Sequence, residues 1–322
     1  MAGVRAAGIV QNTPEWLAFR QGHFGGSDAS IVAGERPSLV KLVSEKQGRL
    51  EVEEPDAETQ LLFKLGHLIE DDLMAIYPDL SGRQGVRSRG IFTSPEWPVA
   101  AYSPDGETRK GAERRGISFK LSKSSKWPTA LAAGELVPGD VLAQEQHGMY
   151  VMGWDAVDVL VLLYGAPKLI ELPRDDEYIG NLIDLEREAW AHVEDGTLPE
   201  EIDGSEETRH TLSRLHPTDC GPVLPRTLHF VELARELAAA RALVKEAGAE
   251  EDRLANTLAS MLGDAAGVEG VLTYHRGKEF ASVNHRQVVE SATAAGLDLS
   301  PYIEAATTMR STRPLRVILK ES

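Results

Sequence analysis

The chain holds a single cysteine, Cys220, in 322 residues. A lone thiol excludes an intramolecular disulfide, a zinc site built from cysteines and the four-cysteine cradle of an iron–sulfur cluster. No apolar run approaches the length of a membrane span, and no secretory leader pattern opens the sequence. A reducing, cytoplasmic setting with no membrane partner is the expectation. Positive charge is also scarce: 34 Lys and Arg stand against 50 Asp and Glu, a formal net charge of -16. That balance argues against a surface that attracts nucleic acid everywhere.

The deficit is uneven. Between Arg83 and Lys126, ten basic residues accompany four acids, a net of +6 that leaves -22 for the rest. A basic stripe on an acidic body suits a DNA channel whose outside repels DNA, the alternative being a solvated charged face. The apolar content of 42% is ordinary and supports a sizeable core. The length fits one large domain or a domain with an elaborated tail. No internal repeat is evident.

Residues 1–12 read as a flexible arm. Thr13-Pro14-Glu15-Trp16 reads as a helix start, with Thr13 as cap and Pro14 in the first position. Gly25-Gly26-Ser27-Asp28 then leads into an apolar stretch. Glycines ahead of a helix leave backbone N–H groups that favour an anion, and Arg20 and Ser27 would add donors. The alternative is an ordinary turn capped by Ser27 or Asp28. Helices are predicted over 39–46 and 61–76, the second with Leu62, Leu65, Ile69, Leu73 and Ile76 on one stripe and Glu70 beside it. Residues 86–92 and 99–102 read as strands. Pro138-Gly139-Asp140 starts a helix over 141–152 with Asp140 as cap. Apolar strands over 154–164 and 168–172 and an acidic helix over 175–194 follow. This order implies an α/β sandwich over residues 13–195, with a short mixed sheet flanked by helices. Residues 196–226, rich in Pro, Gly, Ser and Thr, read as a linker. From Phe230 a heptad-like stripe runs through Leu233, Leu237, Ala240 and Val244 and on to Leu254, Leu258 and Met261, a long helix or a helical hairpin. A small β-hairpin over 268–289, a short helix and a final strand near 310–319 complete an extension over 227–322.

The chemistry gathers around Ser103-Pro104-Asp105-Gly106, a tight turn that carries a carboxylate. Thirteen residues after Asp105 comes the strand end Ser118-Phe119-Lys120. Side chains two apart on a strand share a face, so Ser118 and Lys120 point the same way. A carboxylate, a hydroxyl and a lysine that converge suit metal-dependent phosphodiester hydrolysis. The carboxylate holds a divalent cation, and the lysine steadies the attacking water or the charge on phosphorus.

These pieces, in this order, resemble the YqaJ-type viral recombinases, which include the lambda exonuclease and belong to the PD-(D/E)xK nuclease superfamily. Five short motifs carry the resemblance. Trp16-Leu17-Ala18-Phe19-Arg20 with Gly25-Gly26-Ser27-Asp28 is similar to the family's entry segment, which implies that Arg20 and Ser27 hold the 5'-terminal phosphate of DNA. Gly66-His67-Leu68-Ile69-Glu70 is similar to the helix whose glutamate reaches the metals, and Ser103-Pro104-Asp105-Gly106 to the metal-binding aspartate turn. Ser118-Phe119-Lys120 stands where the family has its Glu-x-Lys pair. Gln144-Glu145-Gln146-His147 is similar to the glutamine helix, with Gln144 in the site-facing position.

The resemblance implies a restriction-endonuclease-like core and a Mg²⁺-dependent (or Mn²⁺-dependent) 5'→3' exonuclease acting on double-stranded DNA ends. Such an enzyme generates 3' single strands for phage-type recombination. It also implies a homotrimer, a single-strand annealing partner, and the host cytoplasm as location if the gene is phage-borne. Arg109, Lys123 and Lys126 are expected to hold the duplex through its phosphates.

Ser118 departs from the pattern, because the family places a glutamate there. Three accounts fit. Another acid has taken over, Glu145 by preference and Glu107 second. Or the serine was introduced to trap a complex. Or the fold binds DNA ends without cutting them, weakly active or inactive. A restriction-type endonuclease is a further enzymatic alternative.

Overall fold

The computed structural model describes residues 3–6, 9, 13–53, 56–88, 90–122, 125–218, 221–274, 285–295, 298, 300 and 304. The chain divides into two units, Met1–Pro217 and Thr218–Ser322. The first opens with β1 (Val4–Arg5), α1 (Pro14–Gln21), α2 (Gly26–Val32), α3 (Leu39–Lys46) and the long α4 (Ala57–Ser81). The strands β2 (Gly85–Arg87), β3 (Phe92–Thr93), β4 (Ala101–Tyr102), β5 (Gly106–Lys110) and β6 (Glu113–Ser122) follow. After them come α5 (Lys126–Ala132), α6 (Gly139–Met152), β7 (Ala156–Leu163), β8 (Ala166–Pro173), α7 (Asp176–Asp195) and α8 (Glu206–Leu215).

Local signals set many of these ends. Thr13, Asp56 and Asp175 each accept a backbone N–H from the third residue on, at 3.3, 2.7 and 2.9 Å, satisfying donors that the first helical turn leaves orphaned. Gly153 and Gly196 end α6 and α7 in the left-handed region at φ 64° and 68°. Asp140 proves to lie in the first turn of α6, whose cap is Pro138. The strand expected over 86–92 resolves into β2 and β3, which belong to different sheets.

The main sheet has the order β2-β5-β6-β7-β8. Only β6 and β7 run parallel, and the other pairs are antiparallel. A small second sheet pairs β1, β3 and β4, so Val4 and Arg5, inside the expected arm, carry strand pairing. One face of the main sheet packs Ile117 and Leu160 against Leu73 and Tyr77 of α4. The other packs Val157, Val159 and Val161 of β7 against Met149 of α6 and Ile179 and Ile183 of α7. A strand buried on both faces reads as an unbroken apolar run, which is why β7 shows no alternation. Each such side chain contributes about 1.5–3 kcal/mol by burial. The fold is thus the mixed sheet flanked by helices that the PD-(D/E)xK resemblance implies. It fixes the faces of β6: Ile117 and Phe119 pack on the α4 side, which leaves Ser118 and Lys120 to the α6 side.

The stretch 196–226 contains α8, which closes against α3. Thr208 hydrogen-bonds Ser38, and Lys41 Nζ lies 2.7 Å from Glu207. The second unit comprises α9 (Leu228–Leu262), a hairpin of β9 (Gly267–Val268) and β10 (Leu272–Thr273), and α10 (His285–Ala294). α9 is one helix of 35 residues that runs through Gly248, with no buried residue. The strand expected near 310–319 lies outside the described residues.

Candidate active site

Asp105 sits in the turn between β4 and β5. Its Oδ2 accepts the backbone N–H of Phe119 at 2.8 Å, which ties the turn to the tip of β6. A Cβ on Gly106 would come within 2.5 Å of the Met74 methyl and 3.0 Å of the Val86 carbonyl, so the turn packs closely against both α4 and β2. Glu70 lies one helical turn before Met74 on the same face, and that places its carboxylate in the field of Asp105.

A carboxylate from α6 lies against Ser118 and Lys120. Glu145 is fully buried. Its Oε1 accepts from Ser118 Oγ at 2.8 Å and lies 2.9 Å from Lys120 Nζ. Its Oε2 accepts from Tyr102 Oη at 2.7 Å. Among the described residues Glu107 makes none of these contacts. Burial raises the Asp105 carboxyl to about 6; Lys120 and the Phe119 N–H oppose the rise, and Glu70 and Glu145 add to it. Burial, with Glu145 and Asp105 nearby, holds the Tyr102 phenol well above its ordinary value, so it remains a donor.

Four consecutive polar residues of α6 serve four directions, as steps of about 100° around the helix require. Glu145 turns to the sheet. Gln146 bonds Pro173 O and Asp175 N at 2.9 and 3.0 Å. His147 meets Glu186 at 2.8 Å and the Ala101 carbonyl at 3.0 Å. Gln144 instead lines a pocket of about 140 Å³ with Arg20, Ser27, Tyr102 and Ser103. Gln144, expected in the site-facing position, lines the pocket of Arg20 and Ser27, and its neighbour Glu145 lies beside Lys120.

In that pocket Arg20 Nη2 donates to Ser27 Oγ at 3.0 Å and the guanidinium lies over Trp16, 4.8 Å from the ring centre. Asp28 is buried at the third position of α2 and accepts the Gly25 N–H at 3.0 Å and Lys46 Nζ at 2.8 Å. Burial pushes its carboxyl up, but Lys46, Arg20 and the Gly25 N–H together hold it below the ordinary value. One of the backbone donors expected to await an anion is thus already taken.

The remaining expected residues divide. Glu70 forms an ion pair with Arg87, whose guanidinium also lies over Phe119, 5.6 Å from the ring centre. Lys126 pairs with Asp140 at 2.8 Å, and Arg115 with Asp158 and Glu171 at 2.9 and 2.6 Å. Arg109 is exposed and has no partner among the described residues. Lys123 and Arg89 lie outside them. Much of the +6 window is therefore neutralised within the protein. Sequence reasoning missed Tyr102, Arg87 and Lys46. Only for Tyr102 was there a signal, its place directly before the Ser103-Pro104-Asp105 turn.

A divalent cation fits this donor set. No three His, Cys, Asp or Glu side chains form a metal cluster among the described residues. Mg²⁺ needs fewer, because it commonly uses one or two carboxylates and completes its shell with water and substrate phosphate. An ionised carboxylate offers about four lone-pair directions. Ser118, Lys120 and Tyr102 fill three on Glu145, which leaves one. Asp105, raised chiefly by burial and further by Glu70 and Glu145, is a group that a cation would return to its charged form.

Residues 15–155 match the family described as the YqaJ-like viral recombinase domain. The chain is 25% identical over 275 residues to Uncharacterized protein YqaJ of Bacillus subtilis (strain 168), covering 82% of this chain and 84% of that protein. Among solved structures it is similar to an alkaline exonuclease (LHK-Exo) from Laribacter hongkongensis, at 21% identity and a TM-score of 0.47 over 57% of this chain and 94% of that one. The structure of LHK-Exo in complex with dAMP is 20% identical, with a TM-score of 0.46 over 63% and 97%.

Proposed function

We propose that the chain, whose residues 15–155 match the YqaJ-like viral recombinase domain, is a Mg²⁺-dependent 5'→3' exonuclease on double-stranded DNA ends. One observation carries the reading. The buried Glu145 carboxylate touches both Ser118 and Lys120 beside Asp105, so the acid that position 118 lacks is present in space.

Asp105 and Glu145 would hold the cation, with Glu70 beside them, held by Arg87. A bound Mg²⁺ would supply charge stabilisation at the scissile phosphate and lower the pKa of the attacking water. Lys120, anchored on Glu145, would orient that water and donate to it. Arg20 and Ser27 would grip the 5' phosphate, making the reaction depend on an end, and Gln144 lines their pocket rather than the lysine's side. Arg109 and Lys126 would contact backbone phosphates without reading sequence. The product is a 3' single strand suited to recombination. A homo-oligomer, trimeric by resemblance, and an annealing partner for the single strand belong to the same proposal; light scattering measures the first.

The test is incubation with Mg²⁺ and 5'-phosphorylated linear duplex. Mononucleotides and resected 3' tails are expected, with circular duplex left intact. Uncut linear DNA at high protein concentration, with Ser118→Glu equally inert, sinks the proposal. The Glu70–Arg87 pair favours a second reading, a DNA-end binder that does not cut. In that case neither Mg²⁺ nor Mn²⁺ binds.

A further inference from the structure

We propose that Tyr102 is a positioning residue of this site: its hydroxyl locks the Glu145 carboxylate in the orientation from which it reaches a cation beside Asp105. The inference rests on the metal-dependent reading above and deepens it.

The terminal torsion of a glutamate is broad, so a carboxylate held at one oxygen can rotate and turn its other lone pairs in different directions. Ser118 and Lys120 both hold Oε1. Two donors on one oxygen leave the carboxylate able to pivot about that point. Tyr102 Oη on Oε2, at 2.7 Å, removes the pivot.

The phenol ring is itself clamped. A Cβ on Gly148 would come within 2.6 Å of the ring carbon that bears the hydroxyl. A Cβ on Gly26 would come within 3.0 Å of the ring carbon Cε2. Trp154 stands edge-on, with ring centres 5.9 Å apart and planes at 89°. Gly148 lies three residues after Glu145 on α6, so the surface that seats the ring also carries the carboxylate the ring directs. Tyr102 is three residues before Asp105 on the strand that leads into the metal turn. One side chain thus sets the spacing between the two acids that the cation must share.

The experiment measures Mn²⁺ binding by calorimetry in the full-length protein without DNA. Tyr102→Phe keeps the ring and removes the donor. Removing an outer partner of a metal ligand weakens binding by about 10- to 100-fold, and that loss is expected here. Nuclease kcat is expected to fall at low Mg²⁺ and recover as Mg²⁺ is raised, with KM for DNA unchanged. Gly148→Ala displaces the ring and is expected to weaken Mn²⁺ in the same way. In the double variant the two losses do not add, because one contact is removed by both. Wild-type Mn²⁺ affinity in Tyr102→Phe, or strictly additive losses, overturns the inference while leaving the exonuclease reading intact. Wild-type protein that binds no Mn²⁺ overturns both.

Discussion

Under the proposed function, Glu145 and Ser118 would divide between them the work of a single strand glutamate. The carboxylate comes from α6, and the strand contributes only a hydroxyl that bonds it. Removing one preorganised charged group from a transition-state environment costs about 10²- to 10³-fold in rate. Glu145→Gln is therefore expected to lose about that much in initial rates of mononucleotide release. Ser118→Glu combined with Glu145→Ser returns the acid to the strand and is expected to regain part of the loss. A second residue-scale test concerns packing. A Cβ on Gly116 would meet the Trp154 ring at 2.2 Å. Gly116→Ala should destabilise by about 1–3 kcal/mol through overpacking, read as a lower urea midpoint. The convergence of Asp105, Ser118 and Lys120 was legible in the sequence, because a period of two fixes the faces of a strand. Whether Gln144 or Glu145 faces the lysine was not. Neighbours on a helix differ by about 100°, and the packing of α6 on the sheet decides the rotation.

At the scale of elements, α6 is pinned by a buried ion pair. His147 faces acceptors with both ring nitrogens, Glu186 Oε1 and the Ala101 carbonyl, so the imidazolium satisfies both. Burial alone would lower its pKa. Glu186, the hydrogen bond to it and the Ala101 carbonyl outweigh that and raise it above the ordinary 6.5. A raised folded value gives stability that is complete below 6.5 and is lost as pH rises through the folded pKa. Urea midpoints are expected to fall with pH above about 6.5 in the wild type. His147→Gln with Glu186→Gln keeps hydrogen-bonding groups, removes the titration and should flatten that slope. A slope unchanged in the double variant assigns it elsewhere. Helices with strong caps and stripes, α1, α4 and α7, were legible because their signals are local. β2 and β3 were not separable, since strands of two or three residues are defined by their partners rather than by a pattern.

Over the whole molecule, every residue assigned to the proposed site lies in Met1–Pro217. That unit contains α8, held to α3 through Thr208 and Lys41. A protein ending at residue 217 is expected to unfold in one cooperative urea transition and to retain Mn²⁺ binding; absence of a cooperative transition would show that the first unit needs the second. The charge distribution gives a further lesson at this scale. Ten basic residues in one window suggested a stripe for DNA, yet Arg83, Arg87, Arg115, Lys120 and Lys126 pair with acids of the same unit. Sequence counts charge, and only folding reveals which charges neutralise one another.

By itself the sequence determined the α/β class, the aspartate turn, the face shared by Ser118 and Lys120, and the entry segment with Arg20 and Ser27. Each depends on residues near one another in the chain, where the backbone period and turn chemistry act directly. The tertiary structure decided that Glu145 bonds Ser118 and Lys120, that Tyr102 bonds Glu145, and that Arg87 binds Glu70. Those contacts join residues 17 to 43 positions apart, and their geometry follows from how α4 and α6 seat on opposite faces of one sheet.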